Sequence, residues 1–241
     1  GLHTLPLNQL QHRTTSSLIE RRSQASHDLT SNHHYSKTHQ MASVATRQPI
    51  TLKGSTEIVT EFFGYAVNSI LFQRGIYAQD SFKPVKKYEM QLMLTSDKEL
   101  QVYLSQILKQ VTTWLMKSTV KQLTLVVTGI DSQEVLERWV FDVKQDDSSE
   151  SAKSEKSVAD IKSEIRAILL QVTASVSFLP LLQEPCTFEL LVSIDKDAAV
   201  PSEWETSDPK YIDNAQIVKL RSFSTTVHKV DSIVAFKADG C

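Results

Sequence analysis

Ile217–Lys237, IVKLRSFSTTVHKVDSIVAFK, is the stretch on which the fold of this chain turns. Apolar and polar residues alternate along it, the pattern of a half-buried strand pair. No Asn-Gly or Asp-Gly marks a turn; the middle is Thr226-Val227-His228-Lys229. Upstream lies a long polar stretch rich in turn formers, Asp195–Asn214. A late sheet element on a long, weakly patterned arm can pair in more than one place. The run is therefore expected to be a moving part as well as scaffold.

Working back from this run, three segments carry helical spacing. Residues 55–73 place Ile58, Val59, Phe62, Phe63, Ala66, Val67, Ile70 and Leu71 at three- and four-residue steps, a broad stripe that must be buried. Ser55 is expected to cap this helix and Gly75 to end it. The second helix is expected to start at Ser96-Asp97-Lys98-Glu99, read as a capping box, and to bury Leu100, Leu104, Ile107, Leu108, Val111 and Leu115. The third spans about Val158–Ser175, with Ile161, Ile165, Ile168, Leu169 and Val172 inward, and Phe178-Leu179-Pro180-Leu181-Leu182 stops it. Strands are expected at 121–128, at 135–143 and, most strongly, at Thr187–Ile194, TFELLVSI. Residues 82–94 read as short strand or irregular structure, and 144–157 as a charged, Ser-rich loop. Helices and antiparallel strands outside strict βαβ order indicate an α+β domain, three helices packed on one sheet face.

Composition limits what the domain does. The 241 residues are 41% hydrophobic with a formal net charge of -2, which suits one globular domain with or without a tail and argues against a general nucleic-acid or membrane-surface binder. Two cysteines, Cys186 and Cys241, build no disulfide framework or zinc cluster, so a reducing intracellular setting is expected. The first forty residues are rich in Ser, Thr and Gln, hold six of the seven histidines (His3, His12, His27, His33, His34 and His39), and show no apolar period. Residues 1–48 are expected to be disordered or upstream extension, with Met41 as the start of the protein proper.

Enzyme signatures are missing from the sequence: no P-loop, no glycine-rich dinucleotide turn, no GxSxG and no HExxH. His228 is the single histidine of the folded part; a nucleophile system would need it, whereas a strand or turn histidine is the plainer reading. Trp139 reads as core, and Trp114 as core or the lining of a possible pocket. Trp204, in the polar arm Val200-Pro201-Ser202-Glu203-Trp204-Glu205, needs somewhere to bury its ring, on its own domain or on a partner.

From Pro49 onward the chain resembles the HORMA domain family, most narrowly its spindle-checkpoint members. The motifs that carry the resemblance are ITLKGSTEIVTEFF (Ile50–Phe63), NSILFQRGIY (Asn68–Tyr77), EVLERWVFD (Glu134–Asp142), SFLPLL (Ser177–Leu182), the strand Thr187–Asp195 and KLRSFSTTVHKVDSIVAF (Lys219–Phe236). The resemblance implies a HORMA domain over residues 49–238 that holds no cofactor and no metal and catalyses no covalent reaction. Such a domain adds a short partner peptide to a sheet edge, here Thr187, Phe188, Glu189, Leu190, Leu191, Val192, Ser193 and Ile194. A mobile C-terminal safety belt, about 197–236 and including Trp204, then closes over the peptide. The family's open state keeps the C-terminal hairpin on that edge. In its closed state the hairpin docks elsewhere, for which Arg221, Phe223, His228, Lys229 and Phe236 are the expected contacts, and the segment near Met41–Thr51 is displaced.

The third helix, through Arg166, Leu170 and Gln171, together with Phe178, is the implied surface for dimer or partner contacts. Leu170 departs there from the family's basic residue and is expected to face outward. The implied partners are the fizzy-family activator of the anaphase-promoting complex, the coiled-coil kinetochore receptor mitotic arrest-deficient one, the checkpoint kinase-related subunit of the mitotic checkpoint complex, a comet-type HORMA antagonist with its AAA ATPase, and a second copy of the chain. The implied locations are nucleus, kinetochore and cytoplasm. The rival expectations are another HORMA adaptor, a DNA-polymerase accessory or meiotic axis factor, and an enzyme of unrecognised type using His228 with loop carboxylates.

Overall fold

Three helices cover one face of a mainly antiparallel sheet in the computed structural model, which describes residues 1–6, 50–145 and 156–238. The helices are α1 (Leu52–Gln73), α2 (Lys98–Met116) and α3 (Val158–Ala174). The strands are β1 (Leu2–Thr4), β2 (Phe82–Lys87), β3 (Met90–Thr95), β4 (Val120–Gly129), β5 (Val135–Gln145), β6 (Cys186–Ile194), β7 (Glu205–Thr206), β8 (Gln216–Lys219), β9 (Phe223–Ser224) and β10 (His228–Phe236). The main sheet runs β7-β1-β6-β4-β5-β10-β8, with β9 also on β10, and β2–β3 form a separate hairpin.

α1 lies at the centre. Val59, Phe62, Phe63, Ala66, Val67, Ile70 and Leu71 are buried along it, as the stripe requires. Its cap is Thr51, whose extended backbone lets the side chain accept from the Gly54 amide at 3.1 Å. The expected cap, Ser55, lies instead inside the first turn and is wholly buried. At the other end, Gly75 takes φ +65°, and bonds from Gly75 to Phe72 and from Ile76 to Leu71 close the last turn, the Schellman arrangement that favours glycine.

The α2 cap is one residue later than the sequence suggested. Asp97 accepts from the Leu100 amide, while the Ser96 hydroxyl donates to the Ser81 carbonyl. Glu99 therefore falls at the second helical position, where it cannot complete a reciprocal box. A true capping box opens α3 instead, between Ser157 and Asp160. Residues 146–155, most of the expected Ser-rich loop, lie outside the described residues.

Residues 82–95 form a regular hairpin rather than irregular structure. Its two turn residues, Tyr88 and Glu89, have φ 49° and 55° without a glycine or asparagine to announce them. The strand reading of Ile217–Lys237 divides in three: β8 and β9 fold back on β10, and Thr226 turns the chain with φ 70°.

A further correction concerns the amino terminus. Gly1–Pro6 are placed, and Leu2–Thr4 make a strand of the main sheet, against the expectation of disorder through residue 48. Composition weighs only the apolar surface a segment can bury, whereas this one is ordered by main-chain pairing with an edge far away in sequence. Residues 7–49, including Met41, lie outside the described residues.

Candidate functional site

β6 is the strand on which the site is built. One of its edges pairs with β4 from Gly129–Cys186 to Val120–Ile194. Phe188, Leu190, Val192 and Ile194 point into the core beneath the helices, all buried. Phe188 meets the rings of Tyr77 and Tyr103 edge-on at 6.1 and 6.0 Å, and burial pushes both phenols above the ordinary tyrosine value. Alternation sends Glu189, Leu191 and Ser193 to the opposite face.

The second edge of β6 holds Leu2–Thr4, antiparallel, with Leu2 opposite Ser193, His3 opposite Val192 and Thr4 opposite Leu191. Gly1 extends the pairing: its nitrogen donates to the Ile194 carbonyl at 2.8 Å, and its carbonyl accepts from the Ile194 amide at 2.9 Å. On the far side of β1 lies β7, with His3 opposite Thr206, Thr4 opposite Glu205, and the Ser207 amide donating to the Leu2 carbonyl. A short extended segment is thus hydrogen-bonded on both sides, by the edge and by the arm.

The arm is fixed at several points. The Trp204 ring packs edge-on against Trp114 of α2 at 4.8 Å, and both are buried. The Trp114 indole N–H donates to the Ala199 carbonyl at 2.9 Å. Trp114 thereby seats the arm, and the lone tryptophan of the polar stretch finds its place on its own domain. Beyond β7 the chain crosses the sheet face opposite the helices: Lys210 pairs with Glu189 of β6, and the Tyr211 ring lies 4.7 Å from the Arg138 guanidinium of β5.

The arm ends in β8, which pairs with β10 on the opposite flank of the sheet from β6. β10 runs along β5 from His228–Gln145 to Phe236–Glu137. Phe223, buried, packs on Phe62 at 4.9 Å, and Phe236 is buried. The Arg221 side chain is exposed, and its backbone amide donates to Gln171 Oε1 of α3. Lys229 is exposed and pairs with Asp231 at 3.4 Å. His228 is 2% exposed; its Nδ1 lies 2.7 Å from the Ser55 hydroxyl, which also meets Thr225. Burial holds the His228 pKa below the ordinary 6.5.

On α3, Leu170 is 43% exposed as expected, and Val176 and Phe178 are also exposed, while Arg166 is half-buried. Several functional side chains had no signal in the sequence. Lys210, Tyr211 and Ala199 are ordinary loop residues, and Ser55 passed for a cap. Leu2-His3-Thr4-Leu5 reads apolar, polar, polar, apolar, without the alternation that marks a strand.

An antiparallel sheet under three helices, with a strapped edge strand at one flank and the C-terminal hairpin at the other, defines a peptide-enclosing fold. The HORMA domain family matches residues 55–228, and the chain belongs to that family, within its spindle assembly checkpoint branch. Over 197 residues it is 56% identical to "Mitotic spindle assembly checkpoint protein MAD2A" of Dictyostelium discoideum, covering 81% of this chain and 97% of that protein. The protein of the same name from Homo sapiens is 50% identical over 196 residues, covering 80% and 96%. A chain solved in "Crystal Structure of Mitotic Checkpoint Complex" superposes with a TM-score of 0.70 at 45% identity, covering 77% of this chain and 99% of that one.

Proposed function

We propose that this chain is a non-enzymatic spindle-checkpoint adaptor that adds a short extended segment of a partner to β6 and locks it under the arm Asp197–Phe236. The observation that carries this reading is the double-sided hydrogen bonding of an extended segment between β6 and β7. Main-chain pairing of this kind provides affinity independent of side chains, and alternate side chains select the sequence. Covering the segment with a tethered arm slows its escape, since release requires the arm to open. With β10 seated on β5 and an extended segment on the β6 edge, the arrangement corresponds to the closed state of the family.

The partners proposed are the fizzy-family activator, whose sequestration delays anaphase, and the coiled-coil receptor mitotic arrest-deficient one. The checkpoint kinase-related subunit and the comet-type antagonist with its AAA ATPase follow from the same reading. The exposed apolar residues Leu170, Val176 and Phe178 are proposed as the surface for a second copy or another protein. Work at the kinetochore, in nucleus and cytoplasm, accords with these partners.

The enzyme rival needs an accessible base. His228 and Ser55 stand at hydrogen-bond distance, but both are sealed in the core, so the pair serves as a structural tie. Calorimetric titration of the full chain with activator and receptor peptides tests the adaptor reading. Saturable one-to-one binding that slows hydrogen exchange in β6 and β7 is expected. Binding only to polymerase-accessory or meiotic-axis peptides would favour the other HORMA adaptors, and a turnover abolished by His228→Ala would favour an enzyme.

A further inference from the structure

We propose that Gly1–Pro6 is a ligand in cis for the β6 edge, a displaceable occupant that partner segments must evict. This rests on the reading of that edge as a peptide-capture site, and it adds the site's own regulation. The segment lies in register between edge and arm, so no other strand can use β6 while it is there. Gly1 makes both main-chain bonds to Ile194. Alternation then directs the His3 main chain to β6 and the Leu2 and Thr4 main chains to β7, as the Ser207–Leu2 bond confirms for one of them. Leu5 packs against the core, and its carbonyl accepts from the Tyr103 hydroxyl at 3.3 Å. A ligand joined covalently to its receptor competes at an effective concentration that dilution does not lower.

The segment also bears marks of a placeholder. His3 Nδ1 and Thr4 Oγ1 are buried with no hydrogen-bond partner among the described residues, and orphaned polar groups of this kind weaken a contact. The main chain is well paired and the side chains are poorly matched. A partner segment with better-fitting side chains would gain over it without any change in the edge.

Two arms test the proposal in the full chain. Leu2 and Ser193 face each other as a pair not hydrogen-bonded to one another, a spacing that a disulfide can bridge. Leu2→Cys with Ser193→Cys, oxidised while dilute, is expected to give a bond between positions 2 and 193 within one molecule, mapped by mass spectrometry. No such bond, or bonds only between copies, overturns occupancy in cis. In the second arm, His3→Pro removes the main-chain donor facing β6. A fluorescent peptide of residues 1–9, GLHTLPLNQ, is expected to bind this variant at least about tenfold more tightly than the parent chain. Equal binding to both, or none to the variant, overturns the proposal. If an activator peptide binds parent and variant equally well, peptide capture stands and the ligand in cis fails. If it binds neither, capture itself fails and the proposal falls with it.

Discussion

Ser55, Thr225 and His228 join the first turn of α1 to the start of β10, with all three side chains buried. Thr225 Oγ1 also accepts from the His228 amide at 2.9 Å, which fixes the turn that carries no sequence signature. The groups facing His228 here are neutral hydroxyls, so nothing compensates a charge on the ring. Burial lowers its folded pKa, and the unfolded chain therefore takes up the proton first as pH falls. The stabilisation is complete above about pH 6.5 and is lost progressively below it, by at most about 1.4 kcal/mol per pH unit. His3 shifts in the same direction, first through burial, so the parent chain alone does not separate the two. Urea midpoints of parent and His228→Asn at about pH 7.5 and about pH 5.5 do so; the variant is expected to lose less stability on acidification. The sequence showed His228 inside the fold but not its partner, because Ser55 is 173 residues away and a serine before a helical stripe reads first as a cap.

Among the elements, the helices were legible because each has a full apolar stripe, and periodicity survives errors of a residue or two at the ends. The β2–β3 hairpin was not legible. Its turn places Tyr88 and Glu89 at positive φ, where sequence reading looks for Asn-Gly, and tertiary contacts hold it there. The Tyr88 hydroxyl donates to Glu61 at 2.6 Å, Lys87 donates to the same carboxylate, and the Tyr88 ring meets Tyr65. Glu89 is exposed, so Glu89→Gly is expected to relieve the backbone and stabilise the domain by about 0.5–1 kcal/mol, read as a raised urea midpoint. A second element-level tie is the Arg74–Glu137 pair, which joins the end of α1 to β5 with both side chains nearly solvent-free. Glu137 also accepts from the Trp139 indole, and Arg74 reaches the Pro180 carbonyl after α3. Glu137→Ala leaves a buried guanidinium without its carboxylate and is expected to cost roughly 3–5 kcal/mol, measurable as loss of two-state stability in urea.

On the scale of the whole molecule, the order of strands could not be read from alternation, which places Ile217–Lys237 in a sheet without saying beside which neighbour. The family resemblance supplied the two alternative dockings, and the structure contains one of them, with the hairpin on β5 and the opposite edge strapped. Outward-facing Leu170 was legible, since the core side of α3 was already taken by its neighbours. Leu170→Glu is expected to weaken self-association while leaving the thermal midpoint within about 1–2 °C; unchanged sedimentation would remove this surface from the proposal. The part of the arm that crosses β1 buries one large ring. Across Ala198–Ser207, Trp204 alone is buried, and it lies edge-on to Trp114. Lys210–Glu189 and Tyr211–Arg138 are polar contacts near the surface and contribute less. Trp204→Ala is therefore expected to remove about 3–5 kcal/mol of packing at the arm while β4, β5 and β6 remain paired. The loss falls on the step that retains a captured segment, so dissociation should accelerate much more than association changes. Stopped-flow release of a labelled activator peptide from parent and variant measures this: a release rate raised at least about tenfold with a similar on-rate places the lock at Trp204, and equal release rates place it elsewhere along the arm.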